Sequence, residues 1–206
     1  MRRGKAIFIK PPRRPAQLEM VWPEERLGTP PELHIPHGFR LRTYGLGDDE
    51  TLSCLLDRAG MGRARLDYRI PHVLPDGFFF VQHEGTGRLV ATCVAAHLPT
   101  LRHPFGGNLG WLAVDPNYRG QGLGYAVSAA VTQRLLKAGY RHIYLETDDF
   151  RLPAIKIYLR MGWIPFVFQE DMHDRWQAVC QQLGWVFSPE CWPCILNSPV
   201  GGVRPV

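Results

Sequence analysis

The sequence predicts an α/β fold in which one mixed sheet begins with antiparallel strands and carries helices on its faces. Three observations lead there. Short strand-like runs at 39–43, 78–81 and 89–94 come first, and the last two are joined by the tight turn Glu84-Gly85-Thr86-Gly87. From residue 109 onward, apolar strand runs alternate with helical periods in the order β-α-β-α-β. A turn with three glycines directly follows the strand 109–114 and opens the longest helical pattern. A hairpin followed by such alternating units makes a single mixed layer.

The elements can be read in chain order. Residues 1–36 hold Pro11, Pro12, Pro15, Pro23, Pro30, Pro31 and Pro36, which predicts an extended arm rather than a packed unit. A domain is expected over 37–168. Phe39-Arg40-Leu41-Arg42-Thr43 alternates as a strand, and Asp48 or Asp49 is placed to cap a helix carrying Leu55, Leu56 and Arg58. The stretch 61–76 fits neither period. Strands follow at 78–81, 89–94 and 109–114, the last stopped by Asp115-Pro116. Leu123, Val127, Ala130, Val131 and Leu135 recur at helical spacing until Gly139 ends the pattern. His142–Glu146 is a strand, Pro153 opens a helix that closes at Gly162, and Trp163–Phe168 is a last strand. The remainder, 169–206, predicts a helix from Asp171 to Leu183 and then a proline-rich tail.

Composition narrows the class. The chain has 206 residues, 45% hydrophobic and 21% charged, enough apolar material for one core. No apolar run nears the ~18 residues of a membrane span. The basic start is followed only by Ala6-Ile7-Phe8-Ile9, too short for a secretory h-region. A soluble cytoplasmic protein is expected. The net charge of +5 is concentrated in Arg2, Arg3, Lys5, Lys10, Arg13 and Arg14, and subtracting those six leaves the rest of the chain at −1. This arm has no interleaved series of aromatics for stacking bases, so a solvated arm is expected and a nucleic-acid partner is not. Five scattered cysteines predict reduced thiols. Cys191-Trp192-Pro193-Cys194 has C-x-x-C spacing but lies far from any strand-to-helix turn, so neither metal nor thiol exchange is expected there.

The chemistry concentrates in Val114-Asp115-Pro116-Asn117-Tyr118-Arg119-Gly120-Gln121-Gly122-Leu123-Gly124. A glycine turn between a strand end and a helix N-terminus converges backbone N–H groups on one point, where the helix adds partial positive charge. Both suit a phosphate or pyrophosphate. A Walker loop is excluded, since no Gly-Lys-Ser/Thr follows. A dinucleotide loop needs G-x-G-x-x-G, whereas the residue three after Gly122 is Tyr125; Glu146 nonetheless stands at a distance suited to a ribose-binding acid. A purely structural turn also fits the glycines taken alone.

Arg119-x-x-Gly122-x-Gly124, directly after a Val-x-Pro strand end, resembles the acetyl-CoA signature of the GNAT superfamily of N-acetyltransferases. Ala154-Ile155-Lys156-Ile157-Tyr158-Leu159-Arg160-Met161-Gly162-Trp163 is similar to that family's second signature, with Trp163 in place of phenylalanine. The resemblance is strong over 107–168, extends less distinctly back to 39, and is absent from both ends. It implies a cleft where the strand through Val114 splays from the strand through Glu146, with acetyl-CoA as co-substrate. It implies backbone contacts to the acetyl and pantetheine portion from Leu112, Ala113 and Val114. It implies pyrophosphate contacts from Arg119, Gly120, Gln121, Gly122, Leu123, Gly124 and Tyr125. Tyr158 matches the tyrosine that protonates the departing thiolate. Arg151 occupies a cofactor-contact position that is often asparagine in the family. Asn108 stands nearest to the place where some members carry a general-base glutamate.

An amine that attacks a thioester must lose a proton. Glu146, at the end of a cleft strand, is the candidate for drawing in a cationic amine or taking that proton, with Asp148 and Asp149 beside it. His103 and His142 are weaker candidates, and Trp111 and Phe150 are candidates to line the acceptor side. The expected activity is acetyl transfer from acetyl-CoA to a primary amine, on a small molecule or a protein, by direct attack in a ternary complex. A non-catalytic module that binds acetyl-CoA or CoA is the alternative.

Overall fold

The computed structural model of the protein describes residues 15–62 and 70–196. The basic residues at 2–14 and part of the unassigned stretch at 61–76 lie outside those residues. Seven strands form one sheet: β1 (Leu18–Val21), β2 (Phe39–Thr43), β3 (Val73–His83), β4 (Leu89–His97), β5 (Gly107–Val114), β6 (Ile143–Thr147) and β7 (Ile164–Phe166), in the order β2-β3-β4-β5-β6-β1-β7. The described helices are α1 (Asp49–Arg58), α2 (Leu123–Lys137), α3 (Leu152–Met161) and α4 (Met172–Leu183). β5 and β6 are parallel; every other neighbouring pair is antiparallel. The mixed sheet with antiparallel strands first, splayed central strands and flanking helices is therefore as the sequence predicts.

The two faces have separate cores. Leu52, Leu55 and Leu56 of α1 pack on Phe78, Phe80, Val94, Ala96 and Ala113. On the opposite face α2 and α3 bury Leu123, Val127, Val131, Leu135, Ile155, Tyr158 and Leu159 against Leu109, Ile143 and Leu145. Alternation along each strand produces this division: Leu109 and Leu145 point to the α2/α3 side, so Asn108, Tyr144 and Glu146 point to the α1 side.

One element corrects the sequence reading. Residues 16–36 are not an extended arm, because Leu18–Val21 is an interior strand between β6 and β7. Leu18, Met20 and Trp22 form its buried face, at 0%, 0% and 2% exposure. The chain then crosses the molecule in contact with it. Trp22 packs edge-on against Trp163, its indole N–H donates to the Arg26 carbonyl, and Arg26 Nη1 donates to Met161 O at 3.1 Å. That guanidinium sits where the carbonyls of α3 end, a favourable place for a cation. It fills the space a side chain at Gly162 would need, and Gly162 (φ +107°) is the left-handed cap of α3. Gln133 Nε2 donates to Pro31 O at 2.8 Å, holding the proline-rich passage onto α2.

At the other end, Trp192 packs edge-on against Trp176 of α4 and against Phe187, and Val167 bridges to Cys194. Cys191 and Cys194 are exposed and unbridged. Among the described residues no group of three or more His, Cys, Asp or Glu is arranged to hold a metal ion. No described helix is long and apolar enough to cross a membrane.

Candidate active site

β5 and β6 stay in register only over Gly107↔Ile143, Asn108↔Tyr144 and Leu109↔Leu145, and then diverge. Two features separate them. On the far side of β5, pairing with β4 slips by one residue between Val94↔Gly110 and Thr92↔Ala113, so β5 carries a bulge. Trp111 within it sits at φ +52°, an uncommon left-handed value for a tryptophan. On the other side β6 turns to β1, pairing Glu146 with Glu19 and Thr147 with Leu18. The gap is a cleft of about 180 Å³, lined by Asn108, Leu109, Gly110, Trp111 and Leu112 from β5, and by Glu146 and Thr147 from β6. Arg151, Ala154 and Tyr158 of the α3 segment close it on one side, and Gln17 and Met61 complete it.

The glycine turn lies beyond the end of β5. Asp115 is wholly buried, accepts from Asn117 N at 3.0 Å and from Arg58 Nε at 2.8 Å, and so ties the turn to the end of α1. Gly120 and Gly122 have φ of +78° and +81°, conformations that a side chain would strain. A Cβ at Gly120 would meet nothing, so this glycine serves backbone shape and leaves open space in front of the turn. Gly122 caps α2 with no side-chain hydrogen bond, so the first N–H groups of this 15-residue helix point outward without a side-chain acceptor. These features fit a pyrophosphate. Gly124 has a different reason: a Cβ there would come within 2.9 Å of Ile157, so this glycine lets α3 approach α2.

The other residues expected at the cofactor divide by burial. Arg119, Gly120, Gln121 and Gly122 are exposed at the turn, whereas the Leu123 side chain is in the core and has only its backbone to offer. Tyr125 is half-buried against the α2/α3 core, with Val114 beside it. Leu112 lines the cleft, while Ala113 turns its side chain into the α1 core. Arg151 lines the cleft and donates from Nε to Asp148 at 2.9 Å.

Tyr158 and Glu146 meet at the cleft from opposite faces of the sheet. Tyr158 is 5% exposed. Burial raises its phenol well above the usual tyrosine range, Cys93 adds to this and Arg151 opposes it, so the hydroxyl keeps its proton. Glu146 is half-buried and its carboxylate makes no hydrogen bond to a described residue. The neighbouring acids are already engaged. Asp148 accepts from Gln17 and Arg151, and Asp149 from Arg175, whose hydrogen bond holds it below the ordinary aspartate value. His142 is exposed away from the cleft, and Phe150 is 76% exposed beneath the Arg151 guanidinium; of the two aromatic candidates only Trp111 lines the cleft.

His103 has a partner that the sequence does not announce. Its Nε2 donates to buried Glu19 at 2.8 Å, its ring stacks on Tyr144 with centroids 4.1 Å apart, and Arg102 binds the same carboxylate through Nε and Nη2. Burial works against ionising Glu19, but the hydrogen bonds from His103 and Arg102 outweigh it and hold the carboxyl below its ordinary value. Because Glu19 and Glu146 are directly opposite across β1 and β6, this cluster stands behind the cleft acid, and Arg102 feels the charge of Glu146 as well. The period-two pattern Leu18-Glu19-Met20-Val21-Trp22 is the signal that would have found β1. No local pattern announces its pairing with a loop more than eighty residues away.

Comparison with known proteins agrees with this geometry. The sequence model of the acetyltransferase (GNAT) family matches residues 49–163. The chain is 27% identical over 160 residues to a mycothiol acetyltransferase of Saccharomonospora viridis, covering 70% of this chain and 49% of the relative. It is 31% identical over 159 residues to that of Thermobispora bispora, covering 69% and 53%. It thus spans about half the length of the curated relatives it matches. Among solved structures, a GCN5-related N-acetyltransferase from Sphaerobacter thermophilus superposes with a TM-score of 0.58 at 22% identity, over 74% of this chain and 49% of the other, a likeness of fold. With a family match over more than half its length and the glycine turn, diverging strands and second-signature helix in their places, the chain belongs to the GNAT family of acetyltransferases, whose co-substrate is acetyl-CoA.

Proposed function

We propose that this chain transfers the acetyl group of acetyl-CoA to a primary amine by direct attack in a ternary complex. The observation that carries this is the cleft itself, where a buried, protonated Tyr158 and a Glu146 carboxylate with no hydrogen bond to a described residue meet from opposite faces of the sheet. The thioester supplies the activated acetyl group. The turn Arg119–Gly122 and the N-terminus of α2 hold the pyrophosphate, with backbone groups through Tyr125. Leu112, Ala113 and Val114 hold the pantetheine and acetyl end, and Arg151 stands at the cleft with Asp148.

Glu146 draws in the amine, whose cationic form suits a carboxylate; the amine reacts as the neutral base after one proton has passed to solvent, and Glu146 receives the second proton, the one that the nitrogen loses on attack. As the new N–C bond forms and the C–S bond breaks, Tyr158 gives its proton to the sulfur. Proton exchange with water then resets both groups. The name of the curated relatives suggests amines on thiol-bearing metabolites as the first acceptors to screen.

Parallel calorimetric titrations with acetyl-CoA, CoA and NADH, followed by a thiol-release assay over a panel of primary amines, test the reading. Selective binding of the two CoA compounds and amine-dependent thiol release are expected. Binding without turnover of any amine would leave a CoA-binding module. No binding by folded protein would overturn the assignment.

A further inference from the structure

Asn108 is 1% exposed, it lines the cleft, and its buried Oδ1 has no hydrogen-bond partner among the described residues. A buried carbonyl oxygen without a donor is an unfavourable state in a folded protein and calls for a reason. Its location supplies one. Asn108 lies in register with Tyr144, two residues before Glu146 on the neighbouring strand, and alternation puts Asn108 and Glu146 on the same α1-side face. Tyr158 belongs to the opposite face. The cleft therefore has one side that meets the leaving sulfur and another that carries the Glu146 carboxylate and the Asn108 carboxamide.

Resting on the acetyltransferase reading, we propose that Asn108 is the amine-positioning residue of the acceptor site and that this site selects primary amines. A neutral primary amine has two N–H bonds and one lone pair. With one N–H held by Asn108 Oδ1 and the other directed at Glu146, the lone pair is left to face the thioester carbonyl. The balance is complete: nitrogen bonds to the acetyl carbon, the C–S bond breaks, the N–H proton facing Glu146 goes to that carboxylate, and the Tyr158 proton goes to sulfur. The N–H held by Asn108 remains on the amide product, where it continues to donate. A carboxamide cannot take the proton, so Asn108 orients and Glu146 accepts. A secondary amine retains no N–H for Asn108 after transfer, and an alcohol has none to give once it has lost its proton.

The test needs no knowledge of the natural acceptor. Two conjugates imitate the joined reactants: CoA–S–CH2–CO–NH–CH3, which keeps the product N–H, and CoA–S–CH2–CO–N(CH3)2, which lacks it. Calorimetry on the wild-type protein is expected to show the first bound about tenfold more tightly, the size of one hydrogen bond in a water-poor site. Asn108→Ala should bring the ratio to about one while plain CoA binds as before, and Asn108→Asp, which keeps an acceptor oxygen, should preserve a preference for the N–H compound. Equal affinity of the wild type for both conjugates overturns the role of Asn108 and leaves the cofactor reading standing. Failure to bind either conjugate or plain CoA overturns the acetyltransferase reading itself. A preference for the N–H conjugate that a folded Asn108→Ala retains in full also overturns the role of Asn108, since Glu146 would then be its acceptor.

Discussion

Replacing Glu19 by alanine tests whether the N-terminal strand is fastened by charge as well as by packing. The carboxylate is 1% exposed and accepts from His103 Nε2 at 2.8 Å and from Arg102 Nε at 3.1 and 3.3 Å. Breaking a buried ionic group by removing one partner costs about 3–5 kcal/mol. His103 is as buried as Glu19, but about a third of the Arg102 side chain reaches solvent, where a stranded charge is rehydrated. That lowers the expectation to about 2–3 kcal/mol at neutral pH. The sign of the pH dependence follows from the direction of the shift. Against burial, its hydrogen bonds hold the Glu19 carboxyl below the ordinary glutamate range, so its stabilisation is complete above that range and is lost as pH falls through the folded-state value. Urea unfolding of wild type and Glu19→Ala should show a gap near pH 7 that narrows on acidification below about pH 4. A gap below about 0.5 kcal/mol at neutral pH, or one that stays constant on acidification, would refute the electrostatic account and leave β1 held by its apolar face.

Tyr158→Phe should lower kcat by about 10²–10⁴-fold with acetyl-CoA affinity nearly unchanged, measured by steady-state thiol release beside calorimetry; an unchanged kcat removes Tyr158 as the acid. Because its phenol is raised above the ordinary tyrosine value, the wild-type rate should show no loss from this group until above about pH 10. Gly122→Val should abolish CoA binding through strain at φ +81° of about 1–2 kcal/mol and a side chain set where the anion must approach, and full affinity in a folded variant would sink the pyrophosphate assignment. Met20→Ala, at a position with no exposure, should cost about 2–5 kcal/mol by chemical denaturation, whereas a surface arm would lose almost nothing.

What was legible in the sequence was local. The strand at 109–114, the turn at 119–124 and the helix ending at Gly162 each carry their own periodicity or punctuation, so their order could be read directly, whereas the cleft between them was implied by the likeness to the GNAT signatures. Tyr158 was marked by its match to the second GNAT signature and Glu146 by its place at the end of a strand, and both line the cleft. The strand at 18–21 was hidden by its surroundings. Prolines on both sides dominate the composition, yet Leu18, Met20 and Trp22 alternate as a buried strand face should. The Glu19–His103–Arg102 cluster had no local signature, since it joins residues 83 and 84 positions apart. Asn108 was visible only as an unmatched position; its lack of a partner is a property of packing.

The place of β1 also constrains how the site is assembled. Among the described strands β7 has no registered pairing with β6 and neighbours β1 alone. The C-terminal strand therefore cannot join the sheet until the N-terminal segment has returned across the molecule to pair with β6, a non-local closure of the kind that slows folding. The same step brings Glu19 opposite Glu146 and Gln17 to Asp148, so the back of the acceptor side is completed by it. Two carboxylates facing each other across a strand pair repel, and Arg102 offsets that repulsion from a loop between β4 and β5. Fold completion and the charge balance of the cleft thus depend on one four-residue strand. A lesion there should be read in activity and stability together, whereas a lesion at Tyr158 should separate them.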